Sequence, residues 1–336
     1  MFIVYKMLIL SFIVIVFSMF MYYYPTYYIS ELGISFLPYL IVLNLVFLVI
    51  LFVKFRRLNI KSGNIKKLVI GIFILLHWFV FLIYSKEFNQ FYNLKLIESP
   101  ELSSWLTILY ANIHKNNNDY TWIKNLIEKE NPDLIMFVEF GENHYNNLKD
   151  FLQKRYPYIN STTWSKKFIG SMVFSKYPIE NRADDFPQWN RRYAYFQLKL
   201  DKKDYYIYLV HTSSPDSYNH YLMRNEQLNV FVDNFVSHQN KHRNDHDNVM
   251  IVGDFNISPW STFYKNFQDW LWSGFVNLSK KTPILFSRYL FEFPIFWSHI
   301  DHAWVNFDVK ELYLKSIKVG WSDHRGLLIK IGQSWS

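Results

Sequence analysis

The chain contains no cysteine, which excludes disulfides, thiolate metal sites and cysteine nucleophiles together. A domain placed outside the cytoplasm would therefore stand on its packed core alone. Acidic residues are scarce at the front: the first 100 residues hold 3 acids against 9 Lys or Arg, and the rest of the chain holds 25 against 27. The net charge of +8 is thus concentrated in the N-terminal part. The near-neutral remainder argues against tight tracking of a nucleic-acid backbone, which rests on many Lys and Arg contacts to phosphate.

What is present at the front is apolar. Met7 to Tyr24 (18 residues), Leu32 to Val53 (22) and Leu68 to Tyr84 (17) carry no charged side chain, and each is at or near the length that crosses ~30 Å of hydrocarbon as a helix. A signal peptide is disfavoured for the first run because "MYYYPTYYI" follows it where a small-residue cleavage site would stand. Tyr22, Tyr23, Tyr24, Tyr27 and Tyr28 read as an interfacial aromatic belt. The loop "KFRRLNIKSGNIKK", 54 to 67, has six basic residues and no acid, so the excess of positive charge places it in the cytoplasm and sends everything after about Ser85 outward. Asn44 and His77 lie inside the runs, and without a carboxylate partner in any span His77 reads as a helix-packing residue.

The expected division is a membrane anchor over 1–85, a linker over 86–103 containing "IESPELSS", and a folded domain over 104–336. Within that domain, strand patterns occur at 106–113, 133–140, 171–175, 193–200, 205–212, 248–255, 300–307, 309–319 and 326–331, with helices over Tyr120–Glu130 and about Tyr221–Val236. Strands alternating with helices and short joins indicate a layered α/β fold.

Polar residues fall at or beside the ends of these strands: Asn112, Glu139, His211, Asp254 with Asn256, Asp301, and Asp323 with His324. Loops at one edge of a sheet converge, so such residues can share one pocket. Acids, amides and imidazoles with no nucleophilic serine elbow suit metal-assisted hydrolysis of a phosphate ester. Hard carboxylate oxygens suit Mg²⁺ or Mn²⁺, imidazoles can donate to the phosphoryl group, and Asp254 can take a proton from water while Asn256 orients the attack. In "VMIVGDFNISPW" the apolar run is expected to be a strand, with Gly253 letting the backbone turn near a phosphate and Pro259 starting the next segment. Taken singly, each of these residues has a plainer reading: Asn112 as a turn cap, Glu139 and Asp323 as helix-start acids, Asp301 and His302 as a surface pair.

"GDFN" after an apolar strand, "SDH" near the C-terminus, "IDH" before it, an early strand ending in Asn and a second ending in Glu resemble the endonuclease/exonuclease/phosphatase superfamily, the fold of DNase I. The resemblance spans about residues 104 to 332, and "GDFNISPWSTF" is similar to a bacterial membrane-anchored branch. It implies a four-layered α/β sandwich behind three transmembrane helices. It also implies metal residues Asn112, Glu139 and Asp323, and catalytic residues His211, Asp254, Asn256, Asp301 and His324. One departure is Val138, where the family commonly has Gln. Arg191, Arg192 and Tyr193 are candidates for a phosphate contact, with a solvated basic turn as the alternative. His238, His242 and His246 recur every four residues but lie in a polar segment that favours a solvated loop or helix end over a zinc face.

These readings imply a membrane-tethered, Mg²⁺-dependent phosphodiesterase acting outside the cytoplasm on nucleic acid or a phospholipid headgroup. The aromatic stretch "SRYLFEFPIFW" fits a lipid substrate or plain core packing. The rival is a catalytically silent binding domain of the same fold, against which the full set from Asn112 to His324 speaks. The sequence implies contact with the bilayer and names no protein partner.

Overall fold

The computed structural model describes residues 2–57, 64–91, 105–161, 170–181, 193–200, 203–241, 248–271, 274–281, 286–290, 293–307 and 311–332. By internal contacts the chain divides into Met1–Asn93 with Ser258–Tyr264, and Leu94–Ile257 with Lys265–Ser336.

The first unit contains helices α1 (Phe2–Tyr23), α2 (Tyr28–Ile34), α3 (Leu37–Arg57) and α4 (Asn64–Phe91). Three segments, Tyr5–Tyr23, Leu37–Arg57 and Ile65–Phe91, are long and apolar enough to cross a membrane. The second apolar run, expected to begin at Leu32, is interrupted by a turn at 35–36. Pro38 then sits in the first turn of α3, where its missing N–H leaves no helical bond unmade. Helix α4 continues past Tyr84 to Phe91, and residues 92–103 of the expected linker lie outside the described residues.

His77 is fully buried and ties three helices together. Its Nδ1–H donates to Asn44 Oδ1 at 2.8 Å, and Ser11 Oγ–H donates to its Nε2 at 2.7 Å. Asn44 Nδ2 in turn donates to Leu40 O at 2.8 Å. The imidazole stacks on Phe47 with ring centroids 5.3 Å apart. Each of these polar groups has a partner within the helices, which apolar surroundings demand.

The second unit begins with β1 (Trp105–Asn112), α5 (Tyr120–Glu130), β2 (Leu134–Phe140) and α6 (Glu142–Arg155). There follow β3 (Tyr158–Ser161), β4 (Gly170–Ser175), β5 (Ile179–Asn181), β6 (Tyr193–Leu200), β7 (Lys203–His211) and α7 (Tyr218–Lys241). The last part holds β8 (Asn248–Asp254), α8 (Thr262–Trp270), β9 (Val276–Asn277), β10 (Arg288–Leu290), β11 (Phe293–Ser298), β12 (Asp301–Val305), β13 (Glu311–Lys318) and β14 (Arg325–Gly332). Every strand expected from alternation is present within a residue or two. Helix α5 has the expected bounds, because Asp119 caps it by accepting from Trp122 N at 3.1 Å and Asn131 closes it at φ +42°. Helix α6 has too few apolar residues to announce itself, burying chiefly Leu148 and Leu152 one turn apart.

The strands form two six-stranded sheets, ordered β13-β14-β1-β2-β4-β3 and β5-β6-β7-β8-β12-β9. Pairs β1–β2 and β7–β8 are parallel, and the other neighbours within the two sheets are antiparallel. The sheets share a core in which Ile108, Met136 and Ile329 of one meet Phe196, Leu209 and Val252 of the other. On the outer face of the first sheet, Leu109, Ile135 and Phe137 pack against Ile123 and Ile127 of α5 and Leu148 of α6. On the second sheet, Tyr208 lies edge-on to Phe231 and Phe235 of α7, and Trp304 packs on Phe267 of α8 at 5.2 Å. The result is the expected four-layered α/β sandwich. Parallel neighbours place the ends of β1 and β2, and of β7 and β8, at the same sheet edge, and that is where the polar residues gather.

Candidate active site

Along β1 the inner face carries Ile108 and Tyr110, so period-two alternation sends Asn112 the same way. Along β2, Phe137 faces the helices and Val138 the inner core. Strict alternation would then turn Glu139 toward the helices. Instead the β2–β4 register shifts between Phe137 and Phe140, and Glu139 takes φ +57°. A bulge with a left-handed residue re-aims a side chain, and here it brings the Glu139 carboxylate to Asn112. Asn112 Nδ2 donates to Glu139 Oε1 at 3.1 Å, and Lys115 N donates to Oε2 at 3.0 Å. Glu139 is thereby oriented without the Gln that Val138 replaces. Burial opposes its ionisation, but His211, the Lys115 amide and Asn112 hold it well below the usual carboxylate range.

Asn112 was expected in the metal set. Its Nδ2 donates to Glu139 Oε1 and to Asp254 Oδ2, each at 3.1 Å, while its Oδ1 accepts from His114 N at 3.0 Å. In this arrangement it is a donor bridge between two carboxylates, with Oδ1 turned to the backbone.

His211 ends β7 and pairs in register with Asp254 at the end of β8. Its Nε2 lies 3.7 Å from Glu139 Oε1. Gly253 does not serve the turn expected of it. A Cβ there would lie 1.9 Å from Val210 O, so the glycine allows β7 and β8 to approach closely beside the site. Asp301 pairs with Asp254 across β12 and β8. Tyr110 Oη donates to Asp301 Oδ1 at 2.8 Å, and His324 Nδ1 donates to Oδ2 at 3.0 Å. His324 Nε2 lies 3.6 Å from Asp254 Oδ2. Burial and then the neighbouring Asp301 raise Asp254 to about 7. Burial works against charge on His324, but Asp301 and Asp254 outweigh it and raise the imidazole to about 9.

Asn256 adopts φ +50° and donates from Nδ2 to Thr212 O at 3.1 Å, while its N–H donates to Asp254 Oδ1 at 3.0 Å. Three of the four non-glycine residues with positive φ among the described residues, His114, Glu139 and Asn256, are therefore at or beside this site, where backbone strain commonly collects. Ser322 joins two motifs: its Oγ–H donates to Asn112 O at 2.8 Å and its Oγ accepts from His324 N at 3.0 Å.

Asp323 does not contact Glu139 directly in any hydrogen bond or ion pair among the described residues. Its Oδ2 accepts from Arg288 Nε at 3.3 Å, and Arg288 Nη1 donates to Ser214 Oγ at 3.2 Å. Arg288 and Tyr110 are the functional candidates that sequence reasoning missed. Tyr110 was accessible through alternation, two residues before Asn112 on one face. Arg288 had no signal, since its hairpin is brought to the site by backbone bonds from Tyr289 N to Asp323 O and from Arg325 N to Ser287 O. Arg191 and Arg192 lie outside the described residues, and Tyr193 is buried against Phe231 with centroids 6.0 Å apart. His242 and His246 also lie outside them. In the aromatic stretch at 287–297, Trp297 packs against Tyr289 at 4.0 Å and Phe286 at 5.9 Å.

Among the described residues, one cluster of candidate ligand atoms is close enough to share a cation. The ligand atoms of Asp254, Asp301 and His324 lie within 4.8 Å of one another, but both oxygens of Asp301 are already engaged, by Tyr110 and by His324. The side chains of Asp254, Asp301 and His324 are 1%, 0% and 4% exposed, against 21% for Glu139. Glu139 and Asp323, the latter 23% exposed, are the reachable hard ligands. Asp323 Oδ1 and Asn256 Oδ1 are buried oxygens without a hydrogen-bond partner among the described residues. Carboxylate and carboxamide oxygens are the hard donors that suit Mg²⁺.

A family model described as the Endonuclease/Exonuclease/phosphatase family matches residues 109–324. No curated protein matches the sequence significantly. Among solved structures, truncated TDP2 from Caenorhabditis elegans aligns at TM-score 0.51 with 13% identity, covering 68% of this chain and 98% of that one. TDP2 from D. rerio, complexed with a single-strand DNA product, aligns at 0.52 with 14% identity, covering 69% and 100%. A mutant beta toxin from Staphylococcus aureus with bound magnesium ions aligns at 0.51 with 17% identity, covering 68% and 100%. At these identities the likeness concerns the fold.

Proposed function

The chain belongs to the endonuclease/exonuclease/phosphatase family and has its DNase I-like fold, and from that premise we propose that it is a Mg²⁺-dependent phosphodiesterase. The observation that carries this reading is the continuous chain of contacts Glu139–Asn112–Asp254–His324–Asp301, which joins four separate strands and one loop.

Glu139 and Asp323 are the carboxylates that would hold Mg²⁺, with Asn112 fixing Glu139. The ion would supply charge neutralisation and polarisation of the phosphoryl oxygens. Asp254, raised toward neutrality, takes a proton from the attacking water. Asn256, fixed two residues away, orients that water and the phosphate. The new P–O bond forms as the bond to the leaving oxygen breaks, and solvent protonates the departing oxygen. His324, held as an imidazolium by Asp301, and His211 donate to non-bridging oxygens, where charge accumulates. Arg288 adds a fixed positive charge beside the acids, which the anionic substrate requires.

The proposed organisation is an anchor over 1–85, a linker over 86–103 and a catalytic domain over 104–336, with that domain outside the cytoplasm. The basic loop at 54–67 supports the orientation. The substrate class is a phosphodiester of nucleic acid or of a phospholipid headgroup. Purified full-length protein with Mg²⁺, assayed on plasmid DNA, RNA and phospholipid vesicles, tests this. Chelator-sensitive cleavage of one class is expected, and cleavage of none supports the silent binding domain instead.

A further inference from the structure

The backbone that presents Asp254 and Asn256 is gripped by side chains to which the chemistry above assigns no part. Three consecutive carbonyls each accept from a different buried residue. Phe255 O takes Thr212 Oγ1–H at 2.7 Å, Asn256 O takes Arg224 Nη1–H at 2.8 Å, and Ile257 O takes His302 Nε2–H at 2.8 Å. Thr212, Arg224 and His302 are 2%, 1% and 0% exposed. They come from the loop after β7, from α7 and from β12, so elements far apart in sequence converge on one tripeptide.

The chemistry of this grip is unusual for packing alone. A buried guanidinium carries a desolvation penalty that an apolar side chain of similar volume would avoid. Arg224 meets part of it through Nε–H to Asn225 Oδ1 at 2.9 Å and through the Tyr221 ring, 5.1 Å from Cζ. What the guanidinium adds is a donor at one carbonyl, that of the left-handed Asn256. A left-handed non-glycine residue is unfavourable and persists where surroundings hold it. The same turn is closed by Thr212 N donating to Asp254 O at 3.0 Å and by Asn256 Nδ2 donating to Thr212 O at 3.1 Å.

We propose that Thr212, Arg224 and His302 are positioning residues that lock Phe255–Asn256–Ile257, with Arg224 fixing the left-handed Asn256 so that Asp254 and Asn256 hold their geometry toward the phosphate. This rests on the catalytic reading of Asp254 and Asn256. None of the three touches substrate.

The test uses full-length protein in detergent with Mg²⁺ and bis(4-nitrophenyl) phosphate, comparing Thr212→Val, Arg224→Lys and Arg224→Met with wild type. Misplacement on the scale of an ångström lowers kcat by roughly 10²-fold with KM within about threefold, and that split is expected for Arg224→Met. In an Asn256→Ala background, Arg224→Met should lower kcat by a smaller factor than in wild type. Hydrogen exchange should quicken in the peptide 252–258 and stay unchanged in β1 and β2. An undiminished kcat, a loss additive with Asn256→Ala, or exchange raised throughout the domain would overturn the proposal. If Arg224→Met does not fold, Thr212→Val and Arg224→Lys decide by the same readouts. If wild type cleaves nothing, the phosphodiesterase reading fails on its own, and local exchange at 252–258 still decides whether the lock exists.

Discussion

Tyr110 and Asp301, 191 residues apart, are joined by a 2.8 Å hydrogen bond from the phenol to Oδ1. The other oxygen of Asp301 receives His324, so one buried carboxylate ties β1, β12 and the loop before β14. Tyr110→Phe leaves a buried carboxylate oxygen unpaired, for which about 1–3 kcal/mol of stability is lost. Denaturant unfolding of the two proteins measures it.

The pH dependence of kcat/KM follows from two groups. Asp254 must lose its proton, so activity rises through about 7, and His324 must keep its own, so activity falls through about 9. Because Asp301 is the main charge raising His324, Asp301→Asn moves the falling limb to lower pH. A falling limb that stays in place contradicts the assignment.

His302 supplies a separate pH effect, on stability. Burial lowers it from 6.5 to about 4 despite the bond to Ile257 O and the nearby Asp301. The unfolded chain therefore takes up a proton before the folded one does. The resulting stability is fully present above pH 6.5 and declines as pH falls toward 4. Melting temperatures across that range should show the decline, and His302→Gln should lessen it, leaving the share of His299, which burial lowers in the same direction.

Arg288→Ala removes a positive charge beside Asp323 and the contact to Ser214. It is expected to lower kcat/KM by roughly 10²-fold, the scale seen when one transition-state donor is removed. Steady-state kinetics with the Arg288→Lys comparison shows how much of the effect is charge.

In the membrane part, His77→Leu strands the Ser11 hydroxyl and the Asn44 amide. A loss of about 1–2 kcal/mol in helix association is expected, with the rate per folded molecule unchanged. Protease added outside intact cells should digest the catalytic domain, and digestion only from the cytoplasmic side would reverse the orientation.

Much of this architecture was legible because it follows from short-range rules. Alternation located the strands from β1 to β14 that carry the core, and the runs without charge located the three long helices. The positions of Asp254, Asp301 and His324 followed from a motif at each strand end. Glu139 reaches the site only through a bulge and a left-handed backbone, neither of which Val138–Glu139–Phe140 announces. Arg288 and Arg224 arrive through tertiary docking of a hairpin and a helix, and no spacing in the sequence encodes that. That Asn112 bridges two carboxylates could not be read from the sequence, because the direction of a carboxamide is set by its neighbours, here His114 N, Glu139 and Asp254. Gly253 was correctly singled out for the wrong reason, its value being close approach to Val210.

The most direct test of the central claim is hydrolysis of bis(4-nitrophenyl) phosphate by full-length protein with Mg²⁺, before and after chelation, beside an Asp254→Asn variant of matched melting temperature. Turnover that is abolished by chelator, restored by added Mg²⁺ and lowered by at least about 10²-fold in the variant is predicted. Turnover that persists under chelation, or in Asp254→Asn, would contradict the account.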